Sequence, residues 1–278
     1  MGFVQFIKKQ LHHSLYEKAY TRAVYQSLGI CIQECKVAWK QFFTWRYPVY
    51  SFFRTLLEIK LAILRLLAGR SARYSYAHTG EDRIIEAILK PQIHEPGFYV
   101  EVGCNEPVFI SNTYSFYKKG WKGICIDANP AMIHKYAKKR PNDIAIAALV
   151  SNHIKERPYY IYTNNVLSST ELVKTDAQQD PGFKVEQTLT LTTQTLTNLL
   201  NKHQAPTHFD FLSIDAEEHD FEVLQSLDLT LYQPKLIIVE DESYSTQHAD
   251  QNPIRLYLQQ HDYECIGHVL KNVYYLKK

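Results

Sequence analysis

No two cysteines in this 278-residue chain stand at CxxC spacing, and the five present, Cys31, Cys35, Cys104, Cys125 and Cys265, are odd in number. With no paired Cys/His cluster either, a disulfide framework and a zinc-finger type of site are excluded, and a reducing, cytoplasmic compartment is expected. Residues 1–10 alternate apolar and basic side chains and lack the uninterrupted apolar stretch and small-residue cleavage site of a signal peptide. The longest apolar stretch is interrupted by Arg54, Lys60 and Arg65, short of the roughly 20 apolar residues that cross a bilayer. There is no internal repeat and no low-complexity segment.

What is present is a core-forming composition, 45% hydrophobic and 22% charged, enough for one large domain and an appendage. The net charge of +2 hides an asymmetry. Residues 1–73 carry twelve Lys and Arg against three Asp and Glu, a balance of +9, and the remainder carries 19 against 26, a balance of −7. A net-acidic body with no basic run beside its aromatics is ill suited to gripping phosphate backbones, so nucleic acid is not expected as a partner.

The two halves of that asymmetry differ in pattern. Up to about residue 67 the chain reads as helices, with Leu56, Ile59, Leu61, Ile63, Leu64 and Leu67 at helical spacings and a break at Trp45-Arg46-Tyr47-Pro48. One reading makes this basic region, residues 1–73, a helical cap on the catalytic domain. The other makes it a peripheral membrane contact, through Trp39, Phe42, Phe43, Trp45, Phe52, Phe53 and their neighbouring cations. From residue 74 to 278 strands and helices alternate, the mark of a doubly wound α/β domain with a mostly parallel sheet. Strands are expected at 97–102, 120–127, 144–150, 209–215 and 236–240, with a short accessory one at 159–162. Helices are expected at 81–89 and 131–139, and a third carries Phe221, Leu224 and Leu227 on one face. The C-terminal segments 263–268 and 272–276 form an antiparallel hairpin.

Chemistry concentrates at the strand ends. The first strand ends Glu101-Val102-Gly103-Cys104-Asn105, an acid followed by a glycine that lets backbone approach a ligand closely. GxGxxG is absent there, so a pyrophosphate has no cradle and a nicotinamide cofactor is disfavoured. A cationic adenosine ligand such as S-adenosylmethionine fits better. The second strand ends at Asp127, followed by Ala128, where such folds place an acid on ribose hydroxyls. Asn129-Pro130 then caps and opens a helix. Ser111, Asn112 and Thr113 either cap a helix or bind the cofactor carboxylate.

The blocks at 76–82, 98–103, 111–113, 120–130 and 211–220, with the closing segment 267–275, resemble in order those of the FkbM-type methyltransferases, and the resemblance spans roughly residues 74 to 278. It implies a Rossmann-like class I methyltransferase using S-adenosylmethionine, with hydroxyl groups of sugars, glycans or polyketide-like products as acceptors. Two departures stand out. The family's Asp-x-Glu-Gly-His-Glu block has Glu218 in place of its glycine and Asp220 in place of its last glutamate. Glu101 and Asp127 also exchange the family's usual Asp and Glu.

Methyl transfer to a hydroxyl needs an aligned acceptor and a base for one proton. Asp215, Glu217 and His219 cluster after the fourth strand, and His219 is the expected base because an imidazole ordinarily titrates near neutrality, with Asp215 or Glu217 orienting it or the acceptor. Cofactor contacts are expected from Glu101, Gly103, Asn105, Ser111, Asn112, Asp127, Ala128 and Asp215. Asp215 with Glu240 and Asp241 would make an oxygen-ligand set for a divalent cation, a reading not favoured because strand-end acids also bind hydroxyls directly. The Ser-, Thr-, Asp- and Gln-rich stretch 164–190 is the expected wall of the acceptor pocket. The alternatives are a non-catalytic member that binds cofactor while its basic arm holds membrane or a partner, and, behind it, a nicotinamide-dependent oxidoreductase.

Overall fold

A computed structural model of the chain describes residues 35–36, 48–67, 74–89, 96–164, 168–170, 184–217 and 219–278. The helices expected before residue 48, the aromatic residues Trp39, Phe42, Phe43 and Trp45, and the substitution at Glu218 lie outside those residues. The chain forms two compact units, Met1–Tyr74 with Lys118–Gly120, and Ser75–Tyr117 with Trp121–Lys278. In the first, α1 (Pro48–Leu67) begins at the proline that marked the sequence break, as suits a residue whose fixed φ and missing N–H cost nothing in a first helical turn.

After α1 the element order is α2 (Glu81–Leu89), β1 (Phe98–Val102), α3 (Tyr114–Lys118), β2 (Lys122–Asp127), α4 (Pro130–Lys139), β3 (Ile144–Ala147), β4 (Glu156–Tyr162), β5 (Val185–Thr192), α5 (Leu196–Lys202), β6 (His208–Ile214), α6 (Asp220–Gln225), β7 (Gln233–Glu240), α7 (Pro253–Gln260), β8 (Tyr263–Val269) and β9 (Asn272–Lys277), all in the second unit except Lys118 at the end of α3. Seven strands make one sheet in the order β3-β2-β1-β6-β7-β9-β8, and β4 and β5 pair separately. The first five strands of that order run parallel, and β9 and β8 run antiparallel at one edge. The fold is thus a Rossmann-like, mostly parallel sheet with a C-terminal antiparallel hairpin, as the alternation of segments implied.

Strand periodicity assigns the two faces. Val100, Val102, Ile124, Ile126, Leu212, Ile214, Ile237 and Val239 pack with Leu199 of α5, Val223 of α6 and Leu258 of α7. Tyr99, Cys125, Phe211, Leu236 and Ile238 pack with Ile85 of α2, Phe116 of α3 and Tyr136 of α4. With both faces covered, the central strands are almost continuously apolar, and each fully buried large side chain contributes about 1.5–3 kcal/mol.

Several elements extend or correct the sequence reading. The third strand stops at Ala147, three residues short of the expected end. The accessory strand at 159–162 is the end of a longer β4, whose partner β5 begins within the polar stretch expected to wall the acceptor pocket. In β5 polar and apolar residues alternate from Thr188 through Leu189, Thr190 and Leu191, and Leu189 and Leu191 pack with Tyr159 and Ile161. Helices α5 and α7 were not anticipated, yet each has a side-chain cap. Thr195 Oγ1 accepts from Asn198 N at 3.2 Å, and Asn252 Oδ1 accepts from Arg255 N at 2.8 Å ahead of Pro253.

Parallel strands run outward from the centre in two directions, β1-β2-β3 and β6-β7. The sheet reverses between β1 and β6, and the crevice at the carboxyl ends of strands beside such a reversal is where open α/β sheets bind ligands.

Candidate active site

The carboxyl tips of β1, β2 and β6 meet at that crevice. After Val102 the chain turns through Gly103 at φ +80°, and a Cβ there would lie 1.6 Å from the carbonyl oxygen of Asp215. Glycine is therefore required by close passage of backbone as well as by the left-handed conformation. Asp215 N donates to Val102 O at 3.0 Å, which locks the two tips together. Asn105 and Glu217 also adopt positive φ, at 40° and 47°. In the family pattern the glycine of this block falls at position 218, one residue after Glu217.

A pocket enclosing about 790 Å³, part of it open to solvent, is lined there by Gly103, Asn105, Asp127, Ala128, Asp215, Glu217 and His219, with apolar wall from Ile126, Ala148 and Val150. That mixture of polar groups and apolar wall suits a small-molecule site. The structure thus brings together seven of the residues singled out from sequence. Three others stand behind the lining. Glu101 is buried, and its Oε2 accepts from Thr113 Oγ1 at 2.5 Å. Ser111 Oγ accepts from Tyr114 N at 3.1 Å at the start of α3, and Asn112 Nδ2 donates to Ser213 Oγ at 3.0 Å. Of the 111–113 trio, Ser111 caps the start of α3, while Asn112 and Thr113 bond Ser213 and Glu101.

Asp127 is held from behind. Its two oxygens accept from Asn105 N at 2.8 Å and Asn129 N at 2.7 Å, and Asn129 in turn accepts from Ala131 N to cap α4. Burial raises the pKa of Asp127 against the pull of those two amides. Asn105 Oδ1 is buried with no hydrogen-bond partner. A buried orphan acceptor costs on the order of 1–3 kcal/mol, so a donor on a bound ligand is what that position lacks.

Burial and the neighbouring Glu240 raise the acids that follow β6. Desolvation, then Glu240 with which it shares a hydrogen bond, pushes Asp215 well above the usual carboxylate range. Asp215 is nevertheless exposed on the cavity wall. Desolvation first and Glu240 second raise Glu217 to about 7, and desolvation raises Asp220 to about 7. Carboxyls crowded around a cavity in this way favour a positively charged ligand.

His219 sits buried at the start of α6. Its Nδ1 lies 3.3 Å from Glu217 O and 3.3 Å from Thr170 Oγ1, and its Nε2 lies 2.8 Å from the same Thr170 Oγ1. The Glu217 main-chain carbonyl and the Thr170 hydroxyl are thus the groups next to the ring. Thr170 is held near by an isolated bridge in which Ser169 N and O bond Tyr160. Ser168, Ser169 and Thr170 complete the pocket lining. They belong to the stretch expected to wall the acceptor site, although nothing in the sequence marked Thr170 individually.

Asp241 serves its own loop. Its oxygens accept from Ser243 N at 2.9 Å, Ser243 Oγ at 2.6 Å and Asn252 Nδ2 at 2.6 Å. Among the described residues no group of three or more His, Cys, Asp and Glu is arranged to hold a metal ion.

The pocket also fits the cationic adenosine ligand expected from sequence. It offers apolar wall for a base, Asp127 at the second strand end for ribose hydroxyls, an unpaired acceptor at Asn105 and raised carboxyls for positive charge.

Comparison with known proteins bears on the same stretch. The family model of the methyltransferase FkbM domain matches residues 101–265, more than half of the chain. No curated protein matches by sequence. Among solved structures, a TehB-like SAM-dependent methyltransferase from Corynebacterium glutamicum is 12% identical, with 80% of this chain and 97% of that one covered and a TM-score of 0.37. The MycE methyltransferase of mycinamycin biosynthesis, in complex with Mg, SAH and mycinamycin VI, is 13% identical, with 80% and 60% covered and a TM-score of 0.41. Likeness at that level carries no argument about this site. The family model does: the chain belongs to the FkbM methyltransferase family, whose methyl donor is S-adenosylmethionine.

Proposed function

We propose that this protein is an O-methyltransferase acting on a hydroxyl of a sugar, glycan or other polyhydroxylated small molecule. The observation that carries the reading is the environment of His219, whose Nε2 lies 2.8 Å from a hydroxyl, that of Thr170, beside the cofactor pocket. An acceptor hydroxyl displacing Thr170 would meet the same nitrogen.

When bound, the donor supplies an electrophilic methyl group on a sulfonium. Every other task falls to the chain. Gly103, Asn105, Asp127 and Ala128 hold the adenosine end, Asp215 and Glu217 face the positive charge, and Glu101, Ser111 and Asn112 fix the turn behind them. His219 takes the acceptor proton on Nε2, with the Glu217 carbonyl beside Nδ1. Ile126, Ala148 and Val150 keep water from the reacting centre. Positioning of this kind together with a general base is sufficient for an in-line displacement.

The test is release of S-adenosylhomocysteine with a panel of polyhydroxylated acceptors, comparing wild type with His219→Ala. General-base assistance is worth about 10²–10⁴-fold, so kcat should fall by roughly that factor while cofactor affinity changes little. Turnover unaffected by the substitution would remove His219 from the mechanism. Cofactor binding with no turnover on any acceptor, in wild type and variant alike, would favour the non-catalytic alternative.

A further inference from the structure

The surface of α1 is inverted. Phe52, Phe53, Leu56, Leu57 and Ile63 are exposed, Phe53 at 64% and Phe52 at 50%, whereas Thr55 and Glu58 are buried. At 100° per residue the five apolar side chains and exposed Lys60 fall within an arc of roughly 140° on one face. A helix that packs in water turns its apolar stripe inward, and here the stripe faces out.

We infer that α1 lies on an anionic lipid surface, with this face in the headgroup boundary. Charge selects the occupant. Residues 1–73 carry twelve Lys and Arg against three Asp and Glu. One of those three acids, Glu58, is neutralised by Lys118 within the same unit, Nζ to Oε2 2.7 Å. A second copy of the chain would set two regions of +9 against each other, which like charge disfavours. An anionic bilayer meets the same cations with opposite charge and offers the phenylalanines an apolar layer. No helix among the described residues is long and apolar enough to cross a membrane, so the geometry is that of a helix lying in the interface.

Full-length protein sedimented with vesicles of phosphatidylcholine, alone or mixed with phosphatidylserine, tests this. The bound fraction should rise with phosphatidylserine and fall as salt is raised. The double substitution Phe52→Ser/Phe53→Ser should weaken the partition by about tenfold or more, and Lys60→Glu should weaken the phosphatidylserine-dependent part by several-fold. Both variants change exposed side chains, so unchanged thermal unfolding and cofactor binding verify that they fold. Wild-type protein that ignores phosphatidylserine vesicles overturns the inference. So does a dimer, seen by light scattering without vesicle binding, that Phe52→Ser/Phe53→Ser splits, because the face then belongs to a second copy.

Discussion

Two groups of buried acids flank the sheet, and burial raises the pKa of both, but what opposes burial differs. Beneath α4, Glu101 and Asp143 share the fully buried guanidinium of Arg140. Its Nε bonds Asp143 at 2.7 Å, and its Nη2 bonds Tyr99 Oη at 2.9 Å and Thr113 Oγ1 at 2.8 Å. Desolvation raises Glu101 to about 7, with Arg140 and Thr113 pulling it back. Around the pocket the secondary influences on Asp215, from Glu240, Asp220 and Glu217, all push the same way as burial. The first group holds its cation fully buried, whereas the second has only the exposed Lys271, 3.7 Å from Glu240 and pulling Glu217 down. That difference separates a closed scaffold from a cavity wall built of the same residue types.

Removing the internal cation should have the largest effect. Arg140→Met leaves Asp143 buried and unpaired, and breaking a buried pair costs about 3–5 kcal/mol. Urea unfolding should show that loss, and a cost below about 1 kcal/mol would mean the Arg140 group is no scaffold.

Next comes the pH dependence of stability. The folded pKa of Glu101 is raised above its unfolded value, so its contribution is complete below about 4.5 and is lost as pH rises through about 7. Wild-type stability should fall over that window, with at most about 3 kcal/mol from this group. Glu101→Gln should flatten the slope, and identical slopes in thermal scans would place the titration elsewhere.

The smallest effect concerns the pocket. Glu217, at about 7, must ionise to attract a cation. S-adenosylmethionine should therefore bind several-fold more tightly at pH 7.5 than at pH 6, a range below the α-amino values near 7.7–8.0. Calorimetry on Glu217→Gln should find that gain gone. A gain that survives the substitution would break the contrast drawn between the two groups.

Much of this molecule is legible in its sequence because parallel strands are local apolar runs that end in chemistry. β1, β2, β6 and β7 were readable, and so were Gly103, Asp127, Asp215, Glu217 and His219 at their tips. β5 was not, because its polar residues suit a loop until β4 lies beside it and partly covers Leu189 and Leu191. Arg140 gave no signal either, since an arginine closing a basic helix is ordinarily solvated.

The sequence by itself determined the alternation of strands and helices, the acids at the strand ends and the absence of a phosphate cradle, each a matter of residues a few positions apart. Only the tertiary structure decided which acids face the pocket and which face Arg140. It alone set the Thr170 hydroxyl against His219, 49 positions away in the chain, and turned the phenylalanines of α1 outward. Those outcomes depend on distances between segments remote in sequence, and burial, which sets the charge of every group involved, belongs to the packed chain and to no single stretch of it.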